Sequence, residues 1–234
     1  MLFGWFYYDW TILLVLPAMI FAMWAQFKVQ STFQKYSQVP SHKGVNAAQA
    51  ARRMLDANGL RDVDIVLHRG GHLSDHYDPR KKTLFLSEAV YNSSSTAAIS
   101  VACHEAGHAL QDAQAYAPLK LRMRIIPLCQ IGSGAAMPLF LIGLLLGSMG
   151  YGLMLAGIAC FALATLFQLI TLPVEFNASA RALDGIRDIG VLYDDEIKDA
   201  RKVLSAAAMT YVAALASSLM SLLRLIIIAN NRRR

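Results

Sequence analysis

The sequence predicts a mostly α-helical protein that crosses the membrane several times and carries a small α+β region at the membrane face. Three observations lead there. Of 234 residues, 56% are hydrophobic and the mean hydropathy is +0.39, too apolar for an ordinary soluble domain. Four stretches, residues 10–27, 125–146, 151–172 and 206–229, approach or exceed the roughly 20 apolar residues that a bilayer crossing needs. Between the first two lies a polar segment whose hydrophobic periodicity changes from helical to alternating.

The first stretch reads as an anchor rather than a cleaved signal, because no Lys or Arg precedes it and no small-residue cleavage site follows. Trp5, Tyr7, Tyr8 and Trp10 suit one membrane interface and Trp24 the other. Residues 28–41 are polar and read as an exit helix or linker. Residues 46–58 form an amphipathic pattern, with Ala47, Ala50, Ala51, Met54 and Leu55 on one face and Gly59 as its stop. Residues 63–67 and 83–87 read as strands, with Gly70-Gly71 as a turn, which implies a small sheet. An exposed strand can hold an extended peptide by backbone hydrogen bonds; residues 83–87 are the candidate, against an ordinary internal strand.

The second apolar stretch contains Pro127 and Pro138, which a spanning helix tolerates when neighbours satisfy the freed carbonyls. It pairs with the third across residues 147–150. Pro173 then suits the first turn of a new helix. The fourth stretch carries Arg224, costly in hydrocarbon unless it snorkels or faces protein. The expected organisation is an anchor (1–27), a polar mixed helix-and-strand region (28–124), a transmembrane hairpin (125–172), a helical region (173–205) and a C-terminal membrane helix with a basic tail (206–234).

The net charge of +6 comes without any nucleic-acid motif, so nucleic acid is not an expected partner. If the spans alternate, Lys28, Lys35, Lys120, Arg122, Arg124, Arg181, Arg187, Lys198, Arg201 and Lys202 share one side, which is then cytoplasmic. Arg232, Arg233 and Arg234 conflict with that topology if the last stretch spans; otherwise it turns back or lies in the interface. Cys103, Cys129 and Cys160 are odd in number, and two fall in apolar spans, so they read as packing residues.

The chemistry concentrates in Cys103-His104-Glu105-Ala106-Gly107-His108-Ala109-Leu110. Two histidines four apart on a helix lie about 40° apart around its axis and roughly 6 Å along it, so both imidazoles can reach one tetrahedral zinc. Glu105 can then act as the base towards water whose pKa the metal lowers, and return the proton to a leaving amine. Serines 93–95 offer an N-cap, and residues 96–111 hold no helix breaker except Gly107. A glycine inside the motif lets another segment approach closely. Cys103 points about 100° away from His104 around the helix and is not assigned to the metal.

A catalytic zinc usually has three protein ligands. The hairpin returns the chain to the side it left, and Glu175 arrives there, sharing a helix face with Ser179 and Ala182. Glu175 is therefore the expected third ligand, although the helix dipole alone also favours a carboxylate in a first turn. Between the strands, residues 72–80 are dense in titratable groups. His76 or Tyr77 could donate a hydrogen bond to the oxyanion of a tetrahedral intermediate, unless the segment is a solvated turn organised by Asp78-Pro79.

His104-Glu105-Ala106-Gly107-His108-Ala109-Leu110-Gln111, together with Leu172-Pro173-Val174-Glu175-Phe176-Asn177-Ala178-Ser179 and Ser74-Asp75-His76-Tyr77-Asp78-Pro79-Arg80, resembles the YugP-like membrane zinc metallopeptidases. The resemblance covers most of the chain and implies Zn2+, membrane embedding and a peptidase fold of the gluzincin kind. More distantly the chain is similar to HtpX-like membrane proteases. Those typically carry an Asp four residues after the later glutamate, hydrogen-bonded to a ligand histidine; here the position is Ser179. A serine brings no carboxylate charge, so the histidine's orientation is expected from elsewhere, from Asn177 or a buried water.

The expected function is zinc-dependent endoproteolysis in the cell membrane, with the bilayer and a peptide or membrane-protein substrate as partners and the site on the cytoplasmic side. Membrane-protein quality control or processing would fit. One alternative is a site-2-type intramembrane protease that uses Asp184 of Leu183-Asp184-Gly185. Against it, the motif helix lacks a sustained apolar flank and Asp184 lies beyond the third span. Another is a non-catalytic scaffold that holds a closed, four-ligand structural zinc.

Overall fold

A computed structural model describes residues 10–69 and 74–233. Trp5, Tyr7, Tyr8, the Gly70-Gly71 turn and Arg234 lie outside the described residues. Where no water is available to the backbone, a helix satisfies its own N–H and C=O groups, and each apolar stretch folds that way. Helices α1 (Ile12–Ser37), α5 (Ala117–Leu145), α6 (Tyr151–Asp188) and α7 (Asp194–Arg233) are each long and apolar enough to cross a membrane. Residues 28–37 are thus the last turns of α1 rather than a linker.

The chain divides into two compact units. The first comprises the described residues of Met1–Ala25, with Leu121–Leu172 and Thr210–Arg234. Many of its large apolar side chains face outwards, Ile20, Ile131 and Leu145 being 65%, 73% and 74% exposed. That is the reverse of a soluble protein's surface and suits a hydrocarbon surround. Inside, α5 and α6 approach through small residues: a Cβ on Gly157 would lie 2.7 Å from the Ala136 carbonyl oxygen and 2.8 Å from the Phe140 nitrogen. A 3-10 turn (Gly147–Gly150) joins the two helices, with Gly147 at φ +65°. Thr165 and Ser218 are hydrogen-bonded at 2.8 Å, and Ser217 donates to the Ala18 carbonyl. Arg224 faces protein, its Nε donating to Thr11 Oγ1 at 3.2 Å.

The second unit comprises Gln26–Lys120 and Pro173–Met209. Helix α2 (Ala47–Ala57) buries the five residues its periodicity selects, and Asn46 and Gln49 close a reciprocal capping box at its start. Strands β1 (Asp64–His68), β2 (His76–Asp78) and β3 (Thr83–Ser87) form a sheet of order β1-β3-β2. β1 runs parallel to β3, pairing Asp64 with Thr83; β2 runs antiparallel to it, pairing His76 with Phe85. The 83–87 strand is therefore the central one, with both edges occupied, and is not available to an extended peptide. Its Leu84 and Leu86 are fully buried, as a central strand requires. β2 was legible in the sequence only as a polar loop, being three residues long.

After the short helix α3 (Glu88–Tyr91) comes α4 (Thr96–Ala113), whose N-cap Ser95 accepts from Ala98 N. Ala98, Ile99, Ala102, Cys103 and Ala106 sink into a core shared with α2, β3, Ala182, Ile186 and Leu204. Pro173 does not begin a new helix, for α6 continues through it. A proline removes one hydrogen bond and crowds one carbonyl, and the helix former run on both sides carries the backbone past that single defect.

Candidate metal centre

Helix α4 carries His104 and His108 one turn apart, their rings edge to face with centroids 4.8 Å apart. α6 passes α4 where neither backbone carries bulk: a Cβ on Gly107 would lie 2.6 Å from the Ala178 carbonyl oxygen. This close approach delivers Glu175, 2% exposed, to the histidines. Its Oε2 lies 3.3 Å from His104 Nε2 and 3.5 Å from His108 Nε2. The three residues offer one ligand atom each within 4.8 Å of one another, and could hold a metal ion.

The donor set fits zinc. Bonds of about 2.0–2.1 Å to tetrahedral zinc place neighbouring ligand atoms about 3.3 Å apart, close to the two separations found here. The local field also favours a cation. Burial pushes the His108 imidazolium down, but its hydrogen bond to Glu175 and the charges of Glu105 and Glu175 outweigh it, and the net direction is up. Glu105, 9% exposed, is held above the ordinary carboxylate range. Burial is the main cause; the positive fields of His108 and His104 oppose it, while Glu175 and Asp75 add to it. A more basic carboxylate is a better proton acceptor. Asp75 is itself fixed by Ser87, whose N–H and hydroxyl donate to its two oxygens at 2.7 and 3.2 Å.

Both histidines turn Nε2 to Glu175 and anchor Nδ1 elsewhere. His104 Nδ1 meets Ser179 Oγ at 3.2 Å, and His108 Nδ1 meets Gln111 Oε1 at 3.0 Å. Ser179 thus supplies the orientation expected from another group, because a hydroxyl reaches the ring without any charge. Asn177 acts one step back, accepting from Gln111 Nε2 at 2.9 Å. Gln111 escaped the sequence reading, although its place three residues after His108 puts it on the same helix face.

His76 and Tyr77 sit on β2, outside the three-residue group. His76 stacks on Phe85 at 4.9 Å, its Nδ1 at 2.8 Å from the Ser74 carbonyl. The Tyr77 hydroxyl donates to Asp112 Oδ2 at 3.0 Å, and burial followed by that carboxylate pushes its ionisation above the ordinary range. Asp184 is exposed and paired with Arg187 at 3.4 Å, away from the cluster. The three cysteines are free, and Cys103 is buried.

The family described as "Putative neutral zinc metallopeptidase" matches residues 11–230. The chain belongs to that family. It is 51% identical over 222 residues, 95% of this chain and 97% of the relative, to a protein of Bacillus subtilis (strain 168) named "Putative membrane protease YugP". No solved structure matches. Within this zinc metallopeptidase family, the long apolar helices and the His104, His108 and Glu175 group are the features that bear on membrane and metal.

Proposed function

We propose that this family member is a multi-pass, zinc-dependent endopeptidase of the gluzincin kind, working at the cytoplasmic face of the cell membrane. The observation that carries this reading is the convergence of His104, His108 and Glu175 with the buried Glu105 one residue along the same helix. The two imidazoles and the Glu175 carboxylate would hold the ion. Zinc supplies Lewis-acid activation of water and polarisation of the scissile carbonyl.

The chain's own residues do the rest. Glu105, its carboxylate made more basic by burial, takes the proton of the attacking water and later delivers it to the departing amine. His76 or Tyr77 donates to the oxyanion; Tyr77 does so by exchanging its Asp112 partner for substrate. The substrate is a peptide or a segment of a membrane protein presented at the bilayer, in quality control or processing. Residues 1–27, 125–172 and 206–234 serve as membrane parts, and residues 28–124 and 173–205 as the peptidase.

Glu105→Gln tests the mechanism. It keeps zinc at wild-type stoichiometry and lowers cleavage of an unfolded membrane-protein substrate by at least ~100-fold, within the range for loss of a general base. Cleavage at the wild-type rate would make the site structural. Substrates trapped by this variant should be membrane proteins; recovery of soluble secreted proteins alone would overturn the proposed role.

A further inference from the structure

His104 and His108 present the same nitrogen to Glu175, yet the groups behind them differ in kind. Behind His108 stands Gln111, fully buried, and the donor and acceptor roles there can be followed without choice. A guanidinium only donates, so Asn177 Oδ1 must accept from Arg181 Nε at 2.7 Å. The Val174 carbonyl only accepts, and it lies 2.8 Å from one end of the Gln111 amide, with Asn177 Oδ1 at 2.9 Å from that same end. That end must be Nε2. The opposite end, facing His108 Nδ1 at 3.0 Å, is then a carbonyl oxygen that can only accept. Arg181 is itself tied back to α4, its Nη1 donating to Gln114 Oε1 at 2.7 Å.

We infer that Gln111 is a positioning residue that locks neutral His108 as its Nδ1–H tautomer, leaving the Nε2 lone pair aimed into the metal centre. His104 has no such lock. A serine hydroxyl rotates and can either donate or accept, so Ser179 follows whichever tautomer His104 adopts. In the metal-free protein, the Glu175 oxygen at 3.3 Å draws the His104 proton to Nε2, with Ser179 donating to Nδ1. For His108 the geometry favours Nδ1: the Gln111 oxygen lies at an ordinary hydrogen-bond distance of 3.0 Å, whereas the Glu175 oxygen stands 3.5 Å from Nε2, beyond the usual range. The two ligand histidines therefore rest in opposite tautomers. His108 is ready for a metal, while His104 must move its proton to Nδ1 as Ser179 turns to accept.

The consequence for metal binding rests on the zinc peptidase reading; the tautomers do not. Nitrogen-15 NMR of the metal-free, detergent-solubilised full chain with labelled histidine, recorded above the pH at which its histidine signals stop changing, reads them directly. His108 should carry its proton on Nδ1 and His104 on Nε2. A proton on His108 Nε2 in the wild type overturns the inference without need of any variant. Q111M, which removes the acceptor, should move the His108 proton to Nε2 and weaken zinc binding, measured by chelator competition, by about 10–100-fold. An unchanged tautomer in Q111M would assign Gln111 to packing alone. Should the wild type fail to bind zinc, the peptidase reading falls, and the tautomer measurement still decides the role of Gln111.

Discussion

Gly107 and Ala178 touch backbone to backbone: a methyl group on Gly107 would lie 2.6 Å from the Ala178 carbonyl oxygen, and neither main chain has a rotamer to yield. An alanine in a helix normally gains about 1 kcal/mol over glycine, but forced overpacking costs about 1–3 kcal/mol. Gly107→Ala should therefore destabilise the protein and, by pushing α6 from α4, withdraw Glu175 from the histidines. Thermal unfolding and zinc content measured together check this. Gly134→Ala, where no atom lies within 4 Å of the added carbon, serves as the control and should leave zinc content unchanged without lowering the unfolding temperature.

Glu175 and Asp184 make opposite predictions for the two metalloprotease readings. Glu175→Ala removes a ligand from the group and should reduce bound zinc at least ~10-fold, whereas Asp184→Ala breaks only an exposed contact with Arg187 and should leave zinc in place. Zinc lost only with Asp184→Ala would restore the site-2-type alternative.

Burial pushes the Cys103 thiol up to about 12, and its side chain is inaccessible. Alkylation needs thiolate and access, and Cys103 offers neither. Iodoacetamide at neutral pH should leave Cys103 unmodified in the folded protein and label it on denaturation, as read by peptide mass spectrometry. The folded state binds this proton more tightly than the unfolded chain does. Its contribution to stability is thus complete below the ordinary thiol range and is lost as pH rises from there towards about 12.

In the apolar unit, Gly157 allows α6 to meet the backbone of α5 at Ala136 and Phe140. Gly157→Val should splay this pair, because both obstructing atoms are main-chain. Cysteine cross-linking between the two helices should lose efficiency in the variant. Cross-linking at the wild-type rate would show that the hairpin does not depend on this seam.

Much of this architecture could be read from residue order alone. The apolar runs announced four long helices, the amphipathic spacing of Ala47, Ala50, Ala51, Met54 and Leu55 announced α2, and the spacing of His104 and His108, with Gly107 between, announced both the pair and the close approach of another segment. Glu175 followed from the return of the hairpin. Less legible was whatever depends on a partner's geometry. The three residues of β2 are too few for periodicity to register, and a strand's place in the sheet is fixed by its neighbours, so nothing in residues 83–87 marked them as central. Pro173 carried a local breaking signal that the continuing helix overrode. Ser179 was discounted for lacking charge, while its position, one turn beyond Glu175, was what let its hydroxyl reach His104.

His104 and Glu175 stand 71 residues apart in the chain, with all of α5 and the apolar part of α6 between them. During synthesis both histidines therefore leave the ribosome long before the carboxylate that joins them. The nascent protein carries an incomplete donor set until the α5–α6 hairpin has been made, so all three side chains cannot hold an ion together until the chain has grown past Glu175.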